Sequence, residues 1–462
     1  MEPKERTMTT MVEQLAAFVV AAKYEDLSEE ARRQTKIRIL DALGCAIGAL
    51  DGEPIKAIRA QTDDFGGSGR CTLIGGGRTA PDRAAFYNGA LVRYLDFNDG
   101  YLAKGETCHP NDNLGAVLAA CEYADRSGKD LMTALAVAYQ VQCRLSDVAP
   151  VRAKGFDHTT QGSFAVAAGV SRALGLDAAQ TANAIAISGT AFNALRVTRT
   201  GALSNWKGLA YPNTAFGATH ATFLAMRGIT GPVEVFEGNK GFMDAISGRF
   251  ELDWSREDLE RITHTIVKRY NAELHSQSAI EGVLELKREL QIKGSDIRRI
   301  EIEIFDVAYN IIGGGEEGAK FTVRTKEEAD HSLPYILAAA MLDGQVMPAQ
   351  YLPDRITRPD VQDLLRKVDV RPLDEFSRRF PAEMPCRIRI TLNDGRVVTG
   401  EKRDYEGFLT RPMQWEGAVG KFEQLSQDRI PAPLIDAIED AVARLETIRA
   451  VELTRLLEKA KR

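Results

Sequence analysis

The stretch "RRIEIEIFDVA", residues 298–308, decides the fold. Isoleucines at 300, 302 and 304 alternate with charged residues, the period of two that a half-buried strand requires. Up to about residue 265 the pattern is helical instead. "SEEARRQTKIRILDALGCAIGAL", "APDRAAFYNGALVRYLDF", "LMTALAVAYQVQCRLSDV" and "AQTANAIAISGTAFNAL" are rich in Ala and Leu, with start signals at Ser28 and at Thr79 with Asp82. Small residues recur inside these segments, and an interior Gly costs a helix up to about 1 kcal/mol, so close helix–helix approach is expected. Downstream, "CRIRITLNDGRVVTGEK" (386–402) reads as a hairpin about Asp394–Gly395, and "QDLLRKVDVRP" as a short helix followed by a strand. Helical patterns at 276–290 and 332–342 lie between the strands, and from about Gly407 the chain is helical again. The fold class is therefore mainly α with an α+β second domain. Residues 1–270 and 408–462 form a large all-helical bundle, and 271–407 a smaller α+β domain inserted into it.

The chain has 462 residues, 44% of them hydrophobic and 27% charged, as in a globular protein of two or three domains. It lacks a run of about 18 apolar residues and the regions of a signal peptide, so no membrane role is expected and the cytoplasm is the expected location. A net charge of −6 argues against nucleic acid or an acidic membrane surface as partner. The six cysteines are scattered without a C-x-x-C pair, which predicts reduced thiols. Cys108 beside His109 has no companion ligands at metal-site spacing, so no metal is expected. "LIGGGRTAP" (73–81) lacks both phosphate-loop and dinucleotide patterns and reads as a turn before a helix.

Four of the six histidines, His109, His158, His275 and His331, stand at loop-to-helix junctions. A helix N-terminus carries partial positive charge and free N–H groups, which favour a neutral imidazole and attract carboxylates. Lys207, in "SNWKGLAYPN", opens another helix. Arg196, Arg199, Lys268 and Arg269 add charge, and arginine binds carboxylates in a bidentate fashion. If these helix ends converge, they form a cationic pocket for a small polyanion.

With those residues in view, the chain resembles the 2-methylcitrate dehydratase (MmgE/PrpD) family over nearly its whole length. "LDFND", "HPNDNLG", "GFDHTTQGS", "SNWKGLAY", "NAELHSQSAIE" and "DHSLPY" occur in the family's order and spacing. The resemblance implies a helical domain with an α+β lid, a homodimer, a cleft between the domains and no cofactor. Carried over by motif, Asp96, His109, His158 and Tyr335 are the catalytic positions. Lys207 and Lys268, carried over likewise, are substrate-binding positions, and Arg199, from its charge, and His275, from "AELHSQ", are expected to join them. "AELHSQ", with Glu273 and His275, resembles the dehydratase branch rather than the cis-aconitate decarboxylase branch. Gly100 departs from the Thr common after "LDFND", which leaves the substrate open. The implied activity is metal-independent loss of water from a small hydroxy-polycarboxylate. His109 or His158 would act as base, the other histidine or Tyr335 as acid, and Asp96 would fix a histidine tautomer. An epimerase on the same scaffold is the alternative, ahead of a decarboxylase or a non-catalytic anion-binding protein. Asp99 is assigned to holding the loop.

Overall fold

The computed structural model describes residues 9–201 and 203–461. Residues 1–8, the start of the expected helical domain, lie outside the described residues, as do Ala202 and Arg462. The body contains α1 (Met11–Ala21), α2 (Glu29–Gly48), α3 (Glu53–Phe65), α4 (Pro81–Tyr94), α5 (Leu114–Tyr123), α6 (Gly128–Val148), α7 (Thr159–Leu174), α8 (Ala178–Ala191) and α9 (Trp206–Met226). Helix α2 begins where its sequence says, since Ser28 Oγ accepts from Ala31 N at 3.0 Å and satisfies one of the open N–H groups.

Thr79 does not cap α4. It belongs to a small hairpin, β1 (Cys71–Thr72) and β2 (Arg78–Thr79), and its hydroxyl donates to the Gly66 carbonyl at 2.9 Å. Pro81, whose fixed φ suits a first helical position, starts the helix instead. Gly75, Gly76 and Gly77 all have positive φ and close the hairpin, so "GGG" is a turn.

Small residues let α4 and α5 meet backbone to backbone. A Cβ at Gly115 would lie 2.5 Å from the Gly89 nitrogen. This contact brings the end of α4 beside the start of α5. The chain between them forms a second hairpin, β3 (Tyr101–Ala103) and β4 (Glu106–Cys108).

The α+β part follows. Strands β5 (Ile297–Ile304), β6 (Val368–Pro372), β7 (Cys386–Leu392) and β8 (Val397–Lys402) form one sheet in the order β6-β5-β7-β8, parallel between β5 and β6 and antiparallel elsewhere. The alternation read from the sequence has its physical counterpart here. Ile300, Ile302, Ile304, Ile388 and Ile390 are buried beneath α10 (Gln277–Leu290) and the helix Leu333–Asp343. The outer face carries cross-strand ion pairs such as Arg387–Glu303 at 2.7 Å.

Among the described residues two large hydrophobic cores result, beside a small cluster of Tyr101, Ala103, Cys108 and Cys143. One joins α1–α9 to the C-terminal helices, and the other spans Ile266 to Phe408. The helix Trp415–Ser426 returns to pack on α2. Its buried Lys421 reaches Asp41 Oδ1 at 2.6 Å and donates to the carbonyls of Phe97 (2.7 Å) and Lys268 (2.8 Å).

Candidate active site

Helix α4 stops at Tyr94, and two residues later Asp96 has φ of 55°, the left-handed conformation that glycine usually takes after a helix. Holding a non-glycine residue there costs on the order of 1 kcal/mol and marks a site that its surroundings over-determine. The holders are visible. Lys268 Nζ donates to the Asp96 carbonyl at 2.6 Å and to Oδ1 at 2.7 Å, Arg93 Nη1 donates to Oδ1 at 2.6 Å, and Lys207 Nζ donates to Oδ2 at 3.2 Å. Burial alone would raise this carboxyl, but Arg93, Lys268 and Lys207 outweigh it and hold Asp96 well below the usual carboxylate range.

Lys207, in the first turn of α9, also touches Asp330 Oδ1 at 3.0 Å and His331 Nδ1 at 2.9 Å. Asp96, Asp330 and His331 are close enough together to offer a metal ion three ligands, and the lysine ammonium occupies the centre of that donor set. Lys326 closes the network with 2.7 Å to Asp330 Oδ2.

Opposite these cations stand two histidines. His109 Nδ1 lies 2.7 Å from the Asp99 carbonyl. A carbonyl only accepts, so Nδ1 carries the proton and Nε2 carries the lone pair. Burial, with Arg93 and Lys268 adding, pushes the His109 pKa well below its ordinary value. His158 packs edge-on against it with ring centroids 5.5 Å apart, and among the described residues neither of its ring nitrogens has a hydrogen-bond partner. Its pKa is pushed down to about 3 by burial, with Arg199 adding, although Asp157 Oδ1, 3.7 Å from Nε2, opposes the shift. Both imidazoles are therefore neutral and available. Asp157 is engaged by Arg199 Nε at 2.6 Å.

The lid contributes a third histidine. Glu273 accepts from the His275 backbone N–H and from its Nδ1, both at 2.7 Å, which leaves Nε2 buried without a partner. Burial would raise the Glu273 carboxyl, but His275 and Lys268 among others bring it down to about 2. Across the mouth, Glu317 of the lid accepts from Arg196 (2.9 Å) and Arg152 (3.4 Å) of the body.

The four helix starts that carry histidines converge on one cleft, whose walls enclose about 490 Å³ with the mouth included. Asp96, His109, His158, Lys268, Arg199 and His275 line it, and Lys207 stands behind Asp96 and His331. Two expectations need correction. Tyr335 does not line the cleft; it is buried in the lid core, and its hydroxyl donates to the Gln350 carbonyl, because the apolar helix Leu333–Asp343 turns that residue inward. Asp96 does not orient a catalytic histidine, because cations saturate its carboxylate and the Asp99 carbonyl fixes His109. The Asp99 side chain holds the loop as expected, accepting from Asn111 N at 3.1 Å and from the Tyr139 hydroxyl at 2.6 Å.

The sequence reading gave no site role to Arg93, Arg152 or Glu317, and named His331 only as one of the junction histidines. Arg93 could have been found from its place in the last turn of α4, three residues before Asp96. The Glu317 clasp carried no local signal.

The fold and cleft define the class: a helical body with a smaller α+β part, and between them a cation-walled pocket holding neutral histidines. Residues 13–255 match the MmgE/PrpD N-terminal domain and residues 270–447 the MmgE/PrpD C-terminal domain, so the chain belongs to the MmgE/PrpD family. It is 26% identical to cis-aconitate decarboxylase of Mus musculus, over 98% of this chain and 94% of that one. It is 27% identical to the mitochondrial 2-methylcitrate dehydratase of Yarrowia lipolytica, over 93% and 86%. It is 28% identical to the 2-methylcitrate dehydratase of Escherichia coli K12, over 74% of each. Among the described residues no helix is long and apolar enough to cross a membrane.

Proposed function

We propose that the protein is a hydro-lyase that removes water from a small hydroxy-polycarboxylate such as 2-methylcitrate, without a metal or an organic cofactor. The observation that carries this reading is the pair of neutral buried histidines, 5.5 Å apart between ring centroids, facing Arg93 and Lys268 across the cleft. Elimination needs a base at the C–H bond, a proton for the departing hydroxide, and cations for the charge that builds on the adjacent carboxylate.

His109 Nε2 takes the proton, since the Asp99 carbonyl holds the ring in that tautomer. The C–H electron pair becomes the new double bond as the C–O bond breaks. His158, which takes up a proton from solvent as the polyanion binds, gives that proton to the leaving hydroxide to form water and returns to its neutral state. A bound polyanion raises the pKa of this imidazole, and Asp157 already favours its charged form. Lys268, Arg93 and Arg196 hold the carboxylates.

The test is a screen of purified protein in chelator against hydroxy-tricarboxylates and amino-dicarboxylates. It follows ultraviolet absorbance of the conjugated product, carbon dioxide release and solvent deuterium exchange. Dehydration gives absorbance alone, decarboxylation releases gas, and epimerisation gives exchange without absorbance. His109→Ala and His158→Ala should each lower turnover by about 10²–10⁴-fold with unchanged circular dichroism. Full turnover in both variants refutes the assignment.

A further inference from the structure

The cleft is lined almost throughout by charged and polar side chains. Among the described residues that line it, only Leu274 and Ile311 are aliphatic. A ligand made only of carboxylates and hydroxyls would leave these two without a complement, and polar groups pressed against them would lose solvation. Leu274 lies in the turn between Glu273 and His275, and all three line the cleft.

What stands behind Leu274 is Gly100. A Cβ built there would lie 2.6 Å from Leu274 Cδ2 and 3.3 Å from Cδ1. The backbone at this point is held in place: Gly100 N donates to the Ile266 carbonyl and Ile266 N donates to the Gly100 carbonyl, both at 2.8 Å. Any side chain at position 100 must therefore be accommodated by Leu274, the end that can rotate, and the cleft is the space beside it. The absent Cβ is what allows Leu274 to lie back from the ligand.

We propose that Gly100 and Leu274 form a specificity-determining pair. The room left by the glycine sets the size of a small alkyl branch on the hydroxy-polycarboxylate, which packs against Leu274 and Ile311 while the carboxylates take the cationic wall. This rests on the hydro-lyase reading above and adds to it the feature of the substrate that the cleft selects.

The experiment compares kcat/KM for citrate, 2-methylcitrate and 2-ethylcitrate in the full-length protein and in Gly100→Ala and Leu274→Ala. One methylene in an apolar pocket is worth about 10-fold or more in discrimination. Wild type should prefer 2-methylcitrate to citrate. Gly100→Ala should reduce that preference by about 10-fold, because Leu274 is driven into the branch position. Leu274→Ala should shift the preference toward 2-ethylcitrate by a similar factor. A purely structural role would lower all three substrates together, so unchanged ratios in both variants overturn the proposal. If Gly100→Ala does not fold, Leu274→Ala and Leu274→Val decide the matter alone. If wild type converts none of the acids, the hydro-lyase reading fails separately. Calorimetric Kd values for tricarballylate and its methyl-branched analogue then carry the same comparison, and a Leu274→Ala protein with an unaltered Kd ratio overturns the proposal there too.

Discussion

Lys421→Met removes the cation that, among the described residues, pairs with a fully buried carboxylate, Asp41. Asp41 then has two options, to stay ionised without its partner or to take up a proton. Burial already pushes its carboxyl upward and Lys421 opposes that shift, so the variant protonates it. Taking a carboxyl from its ordinary pKa of 3.8 to the neutral form at pH 7 costs about 4 kcal/mol, at about 1.4 kcal/mol per pH unit. That figure is a ceiling on the electrostatic loss, since Arg38 and Lys268 still act on Asp41.

The sign with pH follows. In the variant the folded pKa is raised above the unfolded one, so stability is retained at low pH and lost as pH rises. Because burial already holds Asp41 above its ordinary value in the wild type, the pH-dependent deficit should be below about 4 kcal/mol at pH 7 and smaller still, under about 2 kcal/mol, at pH 5. Loss of the donor to the Phe97 and Lys268 carbonyls adds a part that does not vary with pH, about 1–3 kcal/mol. All three tryptophans, Trp206, Trp254 and Trp415, belong to the helical body and its returning helix, so their fluorescence in urea follows the relevant core. Adding Asp41→Asn should recover most of the pH-dependent loss. A deficit that stays constant between pH 5 and 7, or no recovery in the double variant, refutes the reasoning.

Three further outcomes are expected. Tyr335→Phe should cost about 0.5–1.5 kcal/mol in urea unfolding, through the lost bond to the Gln350 carbonyl, and leave turnover within about twofold of wild type. His158 has a depressed folded pKa, so its contribution is complete above pH 6.5 and is lost as pH falls toward 3. About 2 kcal/mol should disappear between pH 6.5 and 5, and His158→Gln should remove that slope. Glu317→Gln should tighten polycarboxylate binding several-fold by calorimetry, because the neutral amide no longer competes for Arg152 and Arg196; unchanged or weaker binding would show that the carboxylate does not compete.

The order of elements was legible in the sequence because period and punctuation are local properties. Alternation at 298–304 marks β5, Asp394–Gly395 the turn of the hairpin, and Ser28 the start of α2. The junction histidines were legible for the same reason, since a loop-to-helix boundary is written in neighbouring residues. Thr79 shows the limit of that reading, because a threonine that resembles a cap was used by Gly66, thirteen residues earlier in the chain.

Tertiary structure alone decided which charges were already matched. Arg199 is tied to Asp157, Lys207 to Asp330, Lys421 to Asp41, and the Tyr335 hydroxyl to Gln350. Each partner is settled by which chain segments meet across the body and the lid. Residue type specifies that a buried charge or hydroxyl needs a partner, and only the packing of distant segments supplies one. The same holds for Gly100, which in sequence is a missing hydroxyl and in the fold is the space that Leu274 occupies.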